Sequence, residues 1–197
     1  MNKPFSQACE NNKSPIFALL TKAFSKSKSV LEVGSGTGQH AVYFAPNMTW
    51  LSWQTSDIRL NHEAIKQWLQ EYPAGNLLYP IELDLNHPWP IEKVDAIYTA
   101  NTLHIVSWPL VQAFISGVSQ HLNQQGKLCI YGPFNYQGKY SSDSNADFDI
   151  WLKERDSQSA IRDFEAIKAL AEQAGLFLEH DHVMPANNRL LEFTKIS

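Results

Sequence analysis

Apolar residues recur along this chain in short runs separated by polar turns, and the period of the runs changes. Ile16, Leu19, Leu20, Ala23 and Phe24 fall at i, i+3, i+4, i+7 and i+8, the stripe of an amphipathic helix. Ser14-Pro15 pairs an N-cap with proline at the first helical position, so the helix is predicted to start there. Val30-Leu31-Glu32-Val33 reads as a short buried strand ended by glycines. Gln39 to Ala45 fits a helix stopped by Pro46, and Trp50 to Ser56 a second strand that ends at Asp57. Asn61 caps a helix reaching Gln70, with Ile65, Trp68 and Leu69 inward. Leu77 to Leu83, ending at Asp84, and Val94 to Ala100 are the third and fourth strands.

Ser107-Trp108-Pro109 opens another capped helix, with Val111, Phe114, Ile115, Val118 and Leu122 on one face. Lys127 to Tyr131 is a fifth strand, and Gly132 to Asn145 reads as a long polar and aromatic loop. Phe148, Trp151 and Leu152 mark a helix after it. Ile167, Leu170, Ala171 and Ala174 mark another, stopped by Gly175. Phe177 to Met184 and Leu190 to Ile196 are strands joined by the Asn-rich turn at 185–189. Strands alternating with helices predict an α/β fold: a doubly wound, mostly parallel sheet of seven strands with helices on both faces. The C-terminal antiparallel hairpin is expected to add one antiparallel strand at an edge. No repeat or low-complexity linker interrupts the pattern, so 1–197 reads as a single domain. Residues 1–28 form a cap or lid, and 132–147 a substrate-side loop.

Composition narrows the function classes. At 197 residues the chain is long enough to bury a core, and 44% apolar with 18% charged residues argues against disorder or a coiled coil. A net charge of −4 argues against a nucleic-acid partner, which needs a basic face. No run of 18 apolar residues predicts a membrane span, and Ile16 to Leu20, followed at once by Lys22, is too short for a signal peptide. Two cysteines, Cys9 and Cys129, make neither a disulfide framework nor a metal spacing, and a cytoplasmic protein is expected. The first 28 residues hold five lysines and one glutamate, a local +4 that reads as a solvated helix face or as a cap drawing in an anion.

Nine glycines are few, yet three lie within Gly34-Ser35-Gly36-Thr37-Gly38. Between a strand and a helix, such a loop lets the backbone touch a ligand with no Cβ in the way. In doubly wound sheets the ligand lies beyond the carboxyl ends of the strands. The spacing is G-x-G-x-G, and Gln39 stands where the third glycine of a dinucleotide site belongs. No Gly-Lys-Ser/Thr follows, so a P-loop is excluded.

The stretch VLEVGSGTG at 30–38 resembles the first motif of the S-adenosylmethionine-dependent methyltransferases with a Rossmann-like fold. That resemblance covers nearly the whole chain. It implies that Glu32 supports the loop and the methionine amino group, and that Asp57 takes the ribose hydroxyls. It also implies that Asp84 reads the adenine amino group with Leu85 beside the ring. The segment Asn101-Thr102-Leu103-His104 would lie beside the sulfonium. The implied cofactor set is Glu32, Gly34, Ser35, Gly36, Gly38, His40, Asp57, Ile58, Asp84, Leu85, Asn101, Thr102 and Leu103. Ala8 to Ile16, GSGTGQHAVYFA at 34–45, YGPFNYQGKY at 131–140, Ser144 to Asp156 and MPANNR at 184–189 resemble more narrowly the methyltransferase-like family labelled domain of unknown function 938, for which no acceptor follows.

For the chemistry, His104, Tyr131 and Asn135 are the catalytic candidates, His104 as a base for the acceptor's proton. Glu10, Asn12, Phe134, Tyr136, Asn187 and Asn188 are the substrate candidates, under a lid made of the N-terminal segment and the 132–145 loop. Each has an ordinary counterpart: Asp84 as a turn residue beside Asn86-His87-Pro88, His40 as a packed or capping histidine, His104 as a pocket wall. Tyr131, Phe134, Tyr136 and Tyr140 cluster in sequence and read equally as pocket or core. Asp143, Asn145, Asp147, Asp149 and Glu154 mimic calcium-loop spacing, but Phe148 occupies the glycine position and a helix explains the run better. His180 and His182 share a strand face with no third ligand, so no metal is expected. The Asp/Asn-Pro-Pro-Tyr/Phe motif and the Pro-Cys nucleophile of DNA methylation are both absent. The expected acceptor is a small molecule, with a protein acceptor, a non-catalytic binding module and a nicotinamide-dependent oxidoreductase as alternatives.

Overall fold

The computed structural model describes residues 3–196; Met1, Asn2 and Ser197, at the ends of the expected domain, lie outside the described residues. Among the described residues there are nine strands: β1 (Ser29–Val33), β2 (Ser52–Asp57), β3 (Leu77–Glu82), β4 (Val94–Ala100), β5 (Leu122–Gly132), β6 (Phe134–Asn135), β7 (Arg162–Asp163), β8 (Leu176–Met184) and β9 (Asn188–Lys195). The helices are α1 (Gln7–Ala23), α2 (Gln39–Phe44), α3 (His62–Glu71), α4 (Trp108–His121), α5 (Asp143–Arg155) and α6 (Phe164–Gln173). Seven strands form one sheet in the order β3-β2-β1-β4-β5-β9-β8. The first five run parallel. The order reverses between β1 and β4, which opens a crevice at their carboxyl ends.

Each face of the sheet carries its own apolar cluster. Leu31, Val33, Ile97, Leu128, Ile130 and Phe193 pack under α4 and α6, contributed by Phe114, Val118, Ile167 and Ala171. Val30, Trp53, Ala96, Tyr98 and Cys129 pack under α1 and α2, contributed by Ile16, Leu20, Phe24 and Phe44. Successive strand residues point to opposite faces, so a strand covered on both sides reads as a continuous apolar run. Glu32 breaks that run on the α1 side, beside Trp53.

Three expectations change. First, α1 begins at Gln7, with the Ser6 side chain accepting from the Cys9 amide, and Pro15 lies inside the helix. The bond a proline cannot donate would reach the carbonyl of Asn11, an exposed residue, so water can replace it while burial of Ile16 and Leu20 holds the helix together. Second, the antiparallel strand is β9, paired with β5 on one side and β8 on the other; β8 forms the edge. Burial explains the insertion: β9 is buried from Leu190 to Lys195, whereas most of β8 is at least partly exposed. The turn between them places Ala186 and Asn187 both at φ 56°, as a tight hairpin demands. Third, little of the expected 132–145 loop is irregular. β6 pairs in parallel with β7, Tyr136 and Lys139 bridge a tight turn, and Ser142 caps α5 by accepting from the Asn145 amide. The acidic run from Asp143 to Glu154 is therefore helix.

Candidate functional site

A cavity of about 1290 Å³ opens at the carboxyl ends of the parallel strands. The glycine loop forms one wall. Gly34 and Ser35 donate backbone N–H bonds to the Ser56 carbonyl, at 3.1 and 2.9 Å, tying the loop to the end of β2. Gly34 has φ +76°, and a Cβ there would meet Thr102 Oγ1 at 2.9 Å. Gly38 caps α2 at φ +89° with the backbone of Ile65 in α3 behind it. Gly36 has φ +59° and open space where a side chain would point. The loop thus needs glycine twice for packing and once at a position facing the cavity.

Carboxylates stand at or just beyond the ends of three successive strands. Glu32 of β1 is buried, and its Oε2 accepts from Trp53 Nε1 at 3.1 Å and from Ser35 Oγ at 3.0 Å. Burial raises its pKa to about 7, against the pull of those two donors. Asp57, ending β2, accepts from the Gly36 amide on Oδ2 at 2.7 Å and from the Ile58 amide and Asn61 Nδ2 on Oδ1, both at 2.8 Å. A carboxylate oxygen offers about two acceptor sites, so Oδ2 retains one. Asp84, just past β3, accepts from Asn86 N and Nδ2 on Oδ1 at 2.9 Å, and these bonds hold its carboxyl below the usual range. It is a turn residue and a cavity residue at once.

The opposite wall comes from the β4, β5 and β9 side. Asn101 leaves β4 at φ 56°, which turns the chain toward the glycine loop. Beyond it His104 is 5% exposed, and neither ring nitrogen has a hydrogen-bond partner among the described residues. Burial, with the Arg162 charge acting the same way, lowers its pKa to about 4, so the ring is neutral near pH 7. Its segment is held by Arg162, which donates to the carbonyls of Leu103 and Val106, and by Ser159, whose hydroxyl donates to that of Ile105. Tyr131 ends β5 in the same wall, its phenol pushed up by burial.

Helix α1 closes the cavity over the loop. Gln39, 1% exposed, accepts from the Ser6 amide at 2.6 Å and from Thr37 Oγ1 at 3.0 Å, and donates to Glu10 Oε1 at 2.8 Å and the Ser6 carbonyl at 3.3 Å. The residue that departs from the dinucleotide pattern joins the glycine loop to the start of α1. Behind it a buried polar chain runs through the tyrosine, histidine and asparagine. Tyr98 O–H donates to His40 Nδ1 at 3.2 Å, and His40 Nε2–H donates to Asn12 Oδ1 at 2.7 Å. Burial lowers His40 to about 4, in keeping with a neutral ring that donates once and accepts once.

Of the residues expected from sequence, the wall contains Glu32, Gly34, Ser35, Gly36, His40, Asp57, Ile58, Asp84, Leu85, Asn101, Thr102, His104, Tyr131, Asn12 and Asn188. Seven expected residues are not in the wall. Gly38 backs onto α3, and Leu103 and Phe134 are buried in the core. Asn135 pairs in register with Asp163, and Glu10 is held by Lys13 and Gln39. Tyr136 stacks on Phe164 at 5.0 Å and donates to Asp181, so it faces the hairpin. Asn187 sits in the hairpin turn and donates to Ser144 Oγ. Tyr140 is also elsewhere, donating to Asp149. The aromatic cluster after β5 therefore disperses, and only Tyr131 reaches the cavity. Sequence reasoning missed Cys9, Asn61, Asn145, Phe148 and Trp151, all in the wall. For Phe148 and Trp151 the signal was present as a helical stripe, which cannot distinguish a core from a cavity. Among the described residues no group of three or more His, Cys, Asp or Glu side chains is placed to hold a metal, and no helix is long and apolar enough to cross a membrane.

Solved structures share this arrangement of strands and helices. An O-methyltransferase family 2 protein from Planctomyces limnophilus, in complex with apigenin, matches 96% of this chain and 58% of its own, with TM-score 0.84 and 15% identity. The mitomycin 7-O-methyltransferase MmcR matches 95% of this chain and 54% of its own, with TM-score 0.83 and 17% identity. The S-adenosylmethionine-dependent methyltransferase SibL matches 96% and 56%, with TM-score 0.80 and 15% identity. This chain spans little more than half the length of each, and the likeness establishes the Rossmann-like methyltransferase fold. Within that fold the chain belongs to a particular family: the model described as protein of unknown function (DUF938) matches residues 3–195.

Proposed function

We propose that this protein transfers a methyl group from S-adenosylmethionine to a small-molecule acceptor. The observation that carries the reading is the row of carboxylates, Glu32, Asp57 and Asp84, set around the glycine loop at the ends of three adjacent parallel strands. The residues fit the group. Gly36 leaves open space for a ligand to approach the backbone. Asp57 Oδ2 keeps an acceptor site for a ribose hydroxyl, Asp84 Oδ2, with His87 Nδ1 at 3.5 Å as its partner, keeps a further acceptor site for the adenine amino group, and Glu32 offers a carboxyl for the methionine ammonium. When bound, S-adenosylmethionine supplies an activated methyl on a sulfonium, which is the difficult part of the chemistry. The chain's own tasks are to bind, to align the acceptor and to exclude water. Helix α1, clamped by Gln39, serves the last of these. The cavity's size leaves room for an acceptor beside the cofactor. Two free cysteines, Cys9 and Cys129, are in keeping with a cytoplasmic setting.

Calorimetry tests the reading. S-adenosylmethionine and S-adenosylhomocysteine are expected to bind in the micromolar range, and NAD not at all. Absence of heat with both methionine-derived ligands would refute it, and NAD binding would favour a nicotinamide-dependent oxidoreductase. Tight cofactor binding without methyl transfer to any metabolite in a labelled-cofactor screen would indicate a non-catalytic binding module. Label recovered in protein would redirect the acceptor assignment from small molecules.

A further inference from the structure

The methionine end of S-adenosylmethionine carries a carboxylate as well as the ammonium. Among the described residues no Lys or Arg lines the cavity, whereas Glu32, Asp57, Glu63 and Asp84 do. A carboxylate taken into such a wall needs donors, and an unpaired one is costly to remove from water. Several wall donors near the glycine loop are already committed: Ser35 Oγ to Glu32, Thr37 Oγ1 to Gln39, Asn61 Nδ2 to Asp57 and Thr102 Oγ1 to the Ala100 carbonyl.

Asn12 and Tyr131 are buried residues of the same wall, and their donors are free. The Tyr98 hydroxyl lies 3.2 Å from His40 Nδ1, and His40 Nε2 lies 2.7 Å from Asn12 Oδ1. The fully buried Tyr98 hydroxyl has no other partner among the described residues, so its proton is bonded only if it donates to Nδ1. The neutral ring then carries its own proton on Nε2 and gives it to Asn12 Oδ1. A core tyrosine thereby fixes which end of the Asn12 amide turns away from His40: the Nδ2 amino end. Neither Asn12 Nδ2 nor the Tyr131 hydroxyl bonds a protein acceptor with ordinary geometry, yet neither is sealed off. The sealed, unpartnered side-chain polar atoms among the described residues are Asn135 Oδ1 and Asp163 Oδ1. Both donors are therefore open to the cavity that their residues line. They are also neighbours: burial raises the Tyr131 phenol, and the Asn12 amide beside it pulls the other way.

The pair stands close to Glu32. Tyr98 is the register partner of Glu32 in the adjoining strand. Cys9, one turn before Asn12 on α1, has its thiol raised by burial, and the nearby Glu32 charge adds to the rise. The ammonium and carboxylate of an amino acid hang from one carbon, so whatever holds the carboxylate must stand next to the seat of the ammonium. Resting on the S-adenosylmethionine reading above, we propose that Asn12 Nδ2 and the Tyr131 hydroxyl form an uncharged two-donor seat for the cofactor's carboxylate. Tyr98 and His40 are positioning residues that hold the Asn12 amide with its amino end toward the cavity. The site thus selects a zwitterionic methionine end without a cation, and His40 acts through Asn12.

Calorimetry with three probes tests the proposal: S-adenosylhomocysteine, its decarboxylated analogue (which keeps the ammonium) and 5′-methylthioadenosine, which lacks both groups. The wild-type protein is expected to hold S-adenosylhomocysteine about tenfold or more tightly than the decarboxylated analogue. Asn12→Asp still accepts from His40 but puts a carboxylate oxygen where the donor was. It should weaken S-adenosylhomocysteine by about tenfold or more while the decarboxylated analogue binds within about twofold of wild type or tighter. Tyr131→Phe, Tyr98→Phe and His40→Leu should each weaken S-adenosylhomocysteine by about threefold or more and spare the analogue. His40→Gln, whose amide can donate to Asn12 Oδ1, should recover most of the loss seen in His40→Leu. Equal wild-type affinity for the two ligands overturns the inference, as does an equal loss for both in Asn12→Asp. Wild-type selectivity in Tyr98→Phe and His40→Leu overturns the positioning role. Failure of all three probes to bind the wild-type protein would instead refute the S-adenosylmethionine reading.

Discussion

Replacing Asp57 by alanine separates what this carboxylate does for the fold from what it does for a ligand. In the wild-type protein it takes three donors: the Gly36 amide, the Ile58 amide and Asn61 Nδ2. Hydrogen bonds to a charged group each contribute about 1.5–3 kcal/mol net. The cavity lets water replace part of this, so a stability loss of about 2 kcal/mol is expected, read from urea unfolding. Binding should suffer independently, because the ribose loses its charged acceptor. That is about 1.5 kcal/mol or more, a weakening of S-adenosylhomocysteine by more than about tenfold. Calorimetry on folded variant measures it. Asn61→Ala is the control: it relieves Oδ1 of one donor, costs about 1 kcal/mol of stability and leaves affinity unchanged or improved. An Asp57→Ala affinity within about threefold of wild type would refute the assignment, since threefold corresponds to only about 0.7 kcal/mol. Equal losses in Asp57→Ala and Asn61→Ala would also refute it, by showing that loop geometry rather than the carboxylate sets affinity.

Three further outcomes follow from the same site. The folded-state pKa of Glu32, about 7, lies above its ordinary 4.5, so the folded state holds a proton that the unfolded chain releases; that contribution is complete below pH 4.5 and is lost as pH rises through about 7. Glu32→Gln keeps a neutral acceptor for Trp53 and Ser35 and should unfold at higher urea than wild type at pH 8, by about 1–3 kcal/mol, but not at pH 5; no gain at pH 8 would contradict the buried-carboxyl account. Gly38→Ala puts a Cβ against the Ile65 backbone at φ +89° and should cost about 2 kcal/mol of stability. Gly36→Ala faces open space, so it should cost about 1 kcal/mol of stability yet weaken S-adenosylhomocysteine much more than Gly38→Ala does when both are folded; the reverse order of affinities would place the ligand elsewhere. Gln39→Ala removes three contacts between the loop and the start of α1, and one within the loop, and should lower protection of α1 amides against hydrogen exchange by about 3 kcal/mol while β4 and β5 keep theirs; unchanged protection of α1 would show that apolar packing alone holds this helix.

What the sequence determined by itself was local in origin. The strand before Gly34, the turn through Gly38 and the helix after it follow from period and from glycine spacing. Asp57 and Asp84 were legible because each closes an apolar run. The tertiary structure decided everything that depends on what covers a face. Phe148 and Trp151 carry the stripe of a core helix, yet they face a cavity, since periodicity reports that one side of a helix leaves solvent and not what it meets. Tyr136 looked equivalent to Tyr131, but strand alternation and the β6–β7 pairing send it to the hairpin instead. The insertion of β9 between β5 and β8 rests on burial across long separations, which no local pattern encodes. Gln39 was visible only as a missing glycine. Its use as a clamp exists only because Ser6 and Glu10, about thirty residues away in sequence, are folded back onto it.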